Sequence, residues 1–255
     1  MTLNIIKVGG GIVEKEENLN LLLNDFSLLQ GPKLLVHGGG RLATTLATQM
    51  GIETHMIDGR RVTDADMLRV VTMVYGGLVN KRIVAQLQAR GINALGLTGA
   101  DCNVIRSHRR QEGNWGFVGD VDRCDGEMLA TLIRQGITPV VAPLTHDGNG
   151  QLLNTNADTI ASEVAKSLAT HFDVTLTFCF EKKGVLRDCN DDDSVIAHIS
   201  AADFCLLREQ GIVADGMVPK LENALNACRA GVKRVVITRV DQLGQQDSGT
   251  VVTLE

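Results

Sequence analysis

Two lysines, two runs of glycine, one aspartate and a pair of arginines carry the chemistry that this sequence suggests. Lys7 lies near the end of an apolar stretch, Leu3-Asn4-Ile5-Ile6-Lys7-Val8, and Gly9, Gly10 and Gly11 follow at once. A short run rich in Ile and Val reads as a buried strand. Such a strand seldom carries a charge without a use for it. Glycines let backbone N–H groups approach an anion closely. Lys7 and the three glycines therefore outline a phosphate cradle; a lysine snorkelling beside a flexible turn is the plain alternative. The spacing is neither that of a Walker loop nor Gly-x-Gly-x-x-Gly. A second triplet, Gly38-Gly39-Gly40, follows the next apolar run, Lys33-Leu34-Leu35-Val36-His37. One triplet alone is explained by a tight strand-to-helix turn. Two, after successive strands, favour anion binding in a shared crevice.

The remaining candidates are weaker one by one. Pro219 suits a first helical position. That sets Lys220 at the electropositive end of a helix, where a cation is disfavoured unless an anion offsets it. Asp158 falls in the first turn of a helix carrying Ile160, Ala161, Val164, Ala165 and Leu168. A dipole-favoured helix start accounts for it, and turn or cap roles account for Asn154 and Asn156. Arg60-Arg61 precedes Thr63-Asp64-Ala65-Asp66, which resembles a capping box. The pair is ordinary solvated surface or, beside a phosphate crevice, a bidentate carboxylate clamp.

The elements that must position these residues alternate between strand-like and helix-like segments. A βαβα opening implies a parallel sheet with right-handed crossovers, whose ligands bind beyond the carboxyl ends of strands. Gly51 to Val62 reads as a hairpin or lid, and the helix after it is interrupted at Gly76-Gly77. Cys102 to Ser107 and Gly116 to Val121 read as a second hairpin with a charged tip. Residues 170–174 are a seam between two lobes, 1–172 and 173–255.

Composition excludes several classes. The 255 residues, 44% hydrophobic and 22% charged, suit a soluble globular protein with a substantial core. The net charge of −5 argues against general nucleic-acid binding. No apolar run reaches the length of a membrane span, and no signal peptide is visible. Six cysteines without a C-x-x-C pair read as reduced thiols of a cytoplasmic protein, and the six histidines form no zinc pattern. No metal-binding residues are expected.

Taken together, the pieces resemble the amino-acid kinase superfamily and, within it, the N-acetylglutamate kinase branch. The carriers are Lys7-Val8-Gly9-Gly10, His37-Gly38-Gly39-Gly40, Gly59-Arg60-Arg61-Val62-Thr63 and Gly116-Phe117-Val118-Gly119. Asn154-Thr155-Asn156-Ala157-Asp158 and Asp215-Gly216-Met217-Val218-Pro219-Lys220 complete the set. The resemblance covers nearly the whole chain. It implies an α/β fold, a three-layer αβα sandwich with a mostly parallel central sheet. The N-terminal lobe would bind acylglutamate and dimerise, and the C-terminal lobe would bind ATP.

The implied reaction moves the γ-phosphoryl group of ATP to the side-chain carboxylate of an N-acylglutamate, in arginine biosynthesis. By the resemblance, Lys7 and Lys220 supply positive charge from the two lobes, and Asp158 holds both. Arg61 and Asn154 bind the α-carboxylate, and Gly39 and Gly40 line its pocket. Gly10 and Gly11, the turn Glu181, Lys182, Lys183, Gly184, Val185 and Leu186, and the segment Ile212, Val213 and Ala214 face the nucleotide. Mg²⁺ rides mainly on the ATP phosphates.

Two departures stand out. Phe180-Glu181 replaces the family's usual Ser/Thr-Asp pair, which leaves the nucleotide contacts open. Arg60 replaces a usual Leu, which leaves the acyl group open. Arg60 faces solvent, or it contacts an acyl group that ends in a carboxylate, as succinyl does. Other amino-acid kinases, and a non-catalytic ATP- or amino-acid-binding regulator, are the competing readings. The first strand starts close to Met1, so the expectation is an arginine-insensitive homodimer without the N-terminal helix of hexameric relatives.

Overall fold

The apolar stretch at the start of the chain is the centre of an eight-stranded sheet. The computed structural model describes residues 1–57, 59–188, 190–214, 217–245 and 248–255, and the side chain of Pro219 is also outside the description. Asp215 and Gly216, part of the motif that leads to Lys220, therefore lie outside the described residues, as do Asp58 and Cys189. Thr2–Val8 runs parallel to Asp173–Phe180 on one side and Lys33–His37 on the other. Beyond Lys33–His37 come Thr138–Val141 and Ala94–Leu97; beyond Asp173–Phe180 come Arg234–Arg239, Thr250–Val252 and His198–Ile199. Among the described residues of this sheet, only the Arg234–Arg239 and Thr250–Val252 pair is antiparallel. Parallel strands are covered on both faces, which is why all five residues of Lys33–His37 are buried and show no alternation.

The alternation of side chains splits the core in two. Leu3, Ile5, Leu34 and Val36 pack with Leu129, Ile160, Val164, Leu221 and Ala224, from the helices Gly126–Arg134, Ala157–Leu168 and Met217–Arg229. Ile6, Val8 and Leu35 pack with Leu22, Phe26, Ala47 and Val71, from Glu16–Leu28, Gly40–Gln49 and Ala65–Val71. The result is the expected three-layer αβα sandwich. A second, four-stranded sheet carries Ile105–Arg109, Gly119–Cys124, Leu144–His146 and Leu152–Asn154, and Met56–Ile57 pairs with Arg60–Arg61 in a separate two-stranded hairpin, one of the two forms anticipated for that segment.

Three local expectations change. The helix does not break at Gly76-Gly77: Ala65–Val71 continues through a π-helical segment, Thr72–Val79, into Asn80–Gln88. The wider turn absorbs the glycine pair, and Leu144 sits where a Gly76 Cβ would begin to crowd. Asp64, not Thr63, caps that helix, accepting from Met67 N–H at 2.8 Å. Thr63 is fully buried and turns inward. Pro219 is third in Met217–Arg229 rather than first, which still leaves Lys220 in the opening turn. Ser200 and Asp203 form a reciprocal capping box at the start of the helix Ala201–Glu209. Among the described residues no helix is long and apolar enough to cross a membrane, and five cysteines are free thiols.

Candidate active site

Strand parity explains where Lys7 points. It shares its face with Leu3 and Ile5, so its side chain emerges among the helices Ala157–Leu168 and Met217–Arg229, beyond the end of their packing. The first of these helices starts at Asn156, whose side chain accepts from the N–H groups of Asp158 and Thr159 at 2.8 and 3.1 Å. That cap sets Asp158 against the strand end. The Lys7 ammonium lies 2.5 Å from Asp158 Oδ1, with 7% and 14% of the two side chains exposed. The second helix brings Lys220 to the same place. Burial pushes the Lys220 ammonium below its ordinary pKa, Asp158 pulls it back up, and Lys7 adds to the depression.

Phe180 links the two lysines. It follows Phe178 on the same strand face, and the two rings stack with centroids 6.2 Å apart. Lys220 Nζ lies 3.8 Å and Lys7 Nζ 5.2 Å from the Phe180 ring centroid. A ring face is electronegative, so one aromatic ring and one carboxylate offset the repulsion between two ammonium groups. Among the described residues Lys220 has no carboxylate within ion-pair distance; Asp158 holds Lys7 directly and reaches Lys220 only through its field.

The two glycine runs touch each other in front of these charges. Gly38 N–H donates to Val8 O at 2.9 Å, and a Cβ on Gly38 would stand 3.0 Å from Gly10 N. A Cβ on Gly39 would meet the Tyr75 ring at 2.8 Å, so only glycine fits there. Gly40–Gln49 opens without a side-chain cap, which leaves its first N–H groups for an anion in the crevice. His37, fully buried beneath the run, steadies it. A carbonyl only accepts, so His37 Nδ1–H donates to Gly38 O at 2.8 Å. Its Nε2 then accepts from Asn80 Nδ2 at 3.1 Å. Burial lowers the His37 pKa to about 4.

On one side of the glycines lies a pocket walled by Gly38, Gly39, Gly40, Arg60, Arg61, Tyr75, Arg110, Asp120 and Asn154. Arg61 is buried, and its Nη2 donates to Gly40 O and Thr44 Oγ1, both at 2.8 Å. Asn154 Nδ2 donates to Thr63 Oγ1 at 2.9 Å, and Thr63 Oγ1 donates to Arg61 O. Arg110 and Asp120 form a two-pronged pair across the wall. That pair and Tyr75 were not among the residues singled out from the sequence; a charged hairpin tip gave no hint of which arginine turns inward.

On the other side a cleft is lined by Gly9, Gly11, Ile12, Phe180, Glu181, Lys182, Gly184, Met217 and Lys220. The expected nucleotide turn divides here. Glu181, Lys182 and Gly184 line the cleft, while Lys183 pairs with Asp193 at 2.5 Å and the Val185 side chain is in the core. Leu186 bridges to Val195 instead. Of the second expected segment, Val213 is buried in the core, Ile212 packs against it and Ala214 is exposed; none lines the cleft. Phe180, Ile12 and Met217 also line the cleft; no ligand role was expected of them, although Phe180 stood out as a departure and Met217 lies in the motif that leads to Lys220.

The amino acid kinase family model matches residues 2–239. Proteins named acetylglutamate kinase from Phocaeicola vulgatus and Bacteroides fragilis are 64% and 62% identical to this chain, over 98% and 97% of it and 98% and 95% of their own lengths. The crystal structure of smu.665 from Streptococcus mutans superposes with a TM-score of 0.82 at 27% identity, over 99% of both chains. An N-acetylglutamate synthase from Neisseria gonorrhoeae, complexed with coenzyme A and N-acetyl-glutamate, gives 0.84 at 23% identity over 99% of this chain and 59% of that one, which speaks for the fold alone. With sequence and fold in agreement along almost its entire length, the chain belongs to the amino acid kinase family.

Proposed function

We propose that this protein transfers the γ-phosphoryl group of ATP to the side-chain carboxylate of N-acetyl-L-glutamate, a step of arginine biosynthesis, as a cytoplasmic homodimer. The observation that carries the reading is the meeting of Lys7, Lys220, Asp158 and the two glycine runs between a pocket and a cleft. The names of relatives that match at above 60% identity supply the acceptor.

The chemistry follows from charge. The attacking carboxylate is already ionised at neutral pH, so no general base is needed. What must be overcome is the approach of two anions and the charge on the equatorial oxygens of the transferring group. Arg61 and Asn154 hold the α-carboxylate in the pocket of the 1–172 lobe. The 173–255 lobe holds ATP in the cleft beside Phe180 and Gly184. Lys7, Lys220 and the N–H groups of Gly10 and Gly39 face the phosphoryl group between them and act as a preorganised oxyanion site. Asp158 keeps Lys7 aimed by a charge-assisted contact. The donor set suits phosphates that arrive as their Mg²⁺ complex: it offers cations and amides, and its nearest carboxylate is taken up by Lys7. The homodimer is supported by exposed apolar side chains around one sheet edge, Leu95 on the edge strand and Met73 and Leu78 on the helical run that Lys81 ties to Gly96.

A hydroxylamine trap tests the reaction. Acyl hydroxamate should form from ATP and N-acetyl-L-glutamate. Product only with free glutamate, aspartate or carbamate would replace the acceptor, and ATP binding without turnover on any acceptor would make the protein a regulator.

A further inference from the structure

The cleft beside Lys220 has a further cation at its wall, and it comes from the opposite side of the site. Arg41 is the second residue of the helix Gly40–Gln49, which opens directly from the second glycine run. Its side chain reaches across the first run. Arg41 Nη2 lies 3.4 Å from Glu181 Oε1, in the turn after the strand Asp173–Phe180. Gly11 passes beneath the pair. A Cβ on Gly11 would collide with the Glu181 carboxylate and stand 3.0 Å from Arg41 Nη1, so glycine is what leaves room for both charges. Gly11 and Glu181 line the cleft together with Lys182 and Lys220.

Two properties of this pair bear on its use. It is loose: the side chains are 60% and 64% exposed, and 3.4 Å exceeds the roughly 2.7–2.9 Å of a well-made charge-assisted hydrogen bond. An exposed pair of this kind contributes little to the fold. It also lies among the charges that would receive phosphates. The negative charge of Glu181 is felt at the Lys220 ammonium, whose pKa it helps to raise against burial. A carboxylate in that position opposes a triphosphate unless a cation covers it, and Arg41 covers it. A guanidinium offers a planar fork of donors that matches phosphate better than one distant carboxylate oxygen. We propose that Arg41 is a phosphate-binding residue of the nucleotide cleft: Glu181 holds its guanidinium over Gly11, and the phosphates of the entering nucleoside triphosphate take it over. The assignment rests on the nucleotide reading of that cleft.

Equilibrium binding of ATP decides it, measured by titration calorimetry on the parent, Arg41→Gln, Arg41→Lys and Glu181→Gln. The two neutral variants should move in opposite directions. Arg41→Gln should weaken ATP binding about tenfold, the loss of one charge-assisted contact. Glu181→Gln should tighten it roughly threefold, because a like charge leaves and Arg41 is freed. Arg41→Lys should recover part of the loss. Acceptor KM and thermal midpoint should stay near the parent values in all three. A fixed clasp between Arg41 and Glu181 gives another pattern: removing either partner breaks the same contact, so both neutral variants weaken ATP binding alike. A Glu181→Gln variant that binds ATP no tighter than the parent therefore overturns the handover. An Arg41→Gln variant that binds ATP as the parent does overturns it as well, and both results leave the proposed function standing. A parent that binds no ATP overturns the two readings together.

Discussion

The Lys220 ammonium sits 3.8 Å from the centre of the Phe180 ring, closer than it comes to any described carboxylate partner. The ring occupies the position where family resemblance led to the expectation of a small hydroxyl residue, and it serves as a platform for two cations. Phe180→Leu keeps the apolar packing against Phe178 but removes the ring quadrupole. A contact of this kind is worth about 0.5–1 kcal/mol when exposed and about 2 when desolvated. Turnover should fall roughly three- to thirtyfold, with little change in thermal midpoint. Unchanged kcat in Phe180→Leu would show that the ring is packing only.

Lys7 and Asp158 should separate charge from positioning. Lys7→Ala removes a group aimed at the transferring phosphoryl, and kcat should drop by about 10²–10³. Asp158→Asn leaves the ammonium in place but unaimed, and kcat should drop by about 2 kcal/mol or roughly thirtyfold. Acceptor KM should move less than kcat in both. Near-normal turnover in either variant, measured on protein with parent-like circular dichroism, would remove that residue from the mechanism.

His37 gives the fold an acid sensitivity of its own. The folded ring stays neutral to about pH 4, whereas an unfolded histidine protonates near 6.5. Between these values the unfolded chain binds more protons, so stability falls as pH falls. The loss should approach about 3 kcal/mol by pH 4, from a group with both ring nitrogens already committed to Gly38 O and Asn80. Urea titrations at pH 7.5, 6 and 5 should show the decline, and His37→Asn should flatten it. An equal slope in the variant would assign the decline to other groups.

The exposed edge around Leu95, Met73 and Leu78 should be a contact between copies. Light scattering should give a dimer for the parent, and Leu78→Glu should shift it towards monomer with the fold intact. A parent monomer at micromolar concentration would leave that edge without its proposed use.

Much of this protein is written locally. The apolar runs, the glycines after two of them and the helical spacing of Ile160, Ala161, Val164 and Leu168 announce a parallel α/β sheet, because strand and helix periods are properties of neighbouring residues. The same locality misplaced what depends on the third dimension. Thr63 and Asp64 are both plausible caps, and only the buried path to Asn154 turns Thr63 inward. Gly76-Gly77 reads as a break until packing against Leu144 and Thr98 carries the helix through.

At the site, the sequence determined the reactive types, Lys7, Asp158 and Lys220, and the alternation that puts Lys7 on one face of its strand. Tertiary structure decided their relations. Sheet order sets Thr2–Val8 beside Asp173–Phe180, so residues more than 150 positions apart become neighbours and Phe180 comes to lie between two lysines. It also drew Val185 and Val213 into the core, away from the cleft they were expected to line. Which arginine pairs and which is left to face the pocket depends on the second sheet bringing Asp120 to Arg110 rather than to Arg60. Chain-distant contacts of this kind leave no periodicity in the sequence, because they are fixed by which faces of the finished layers meet.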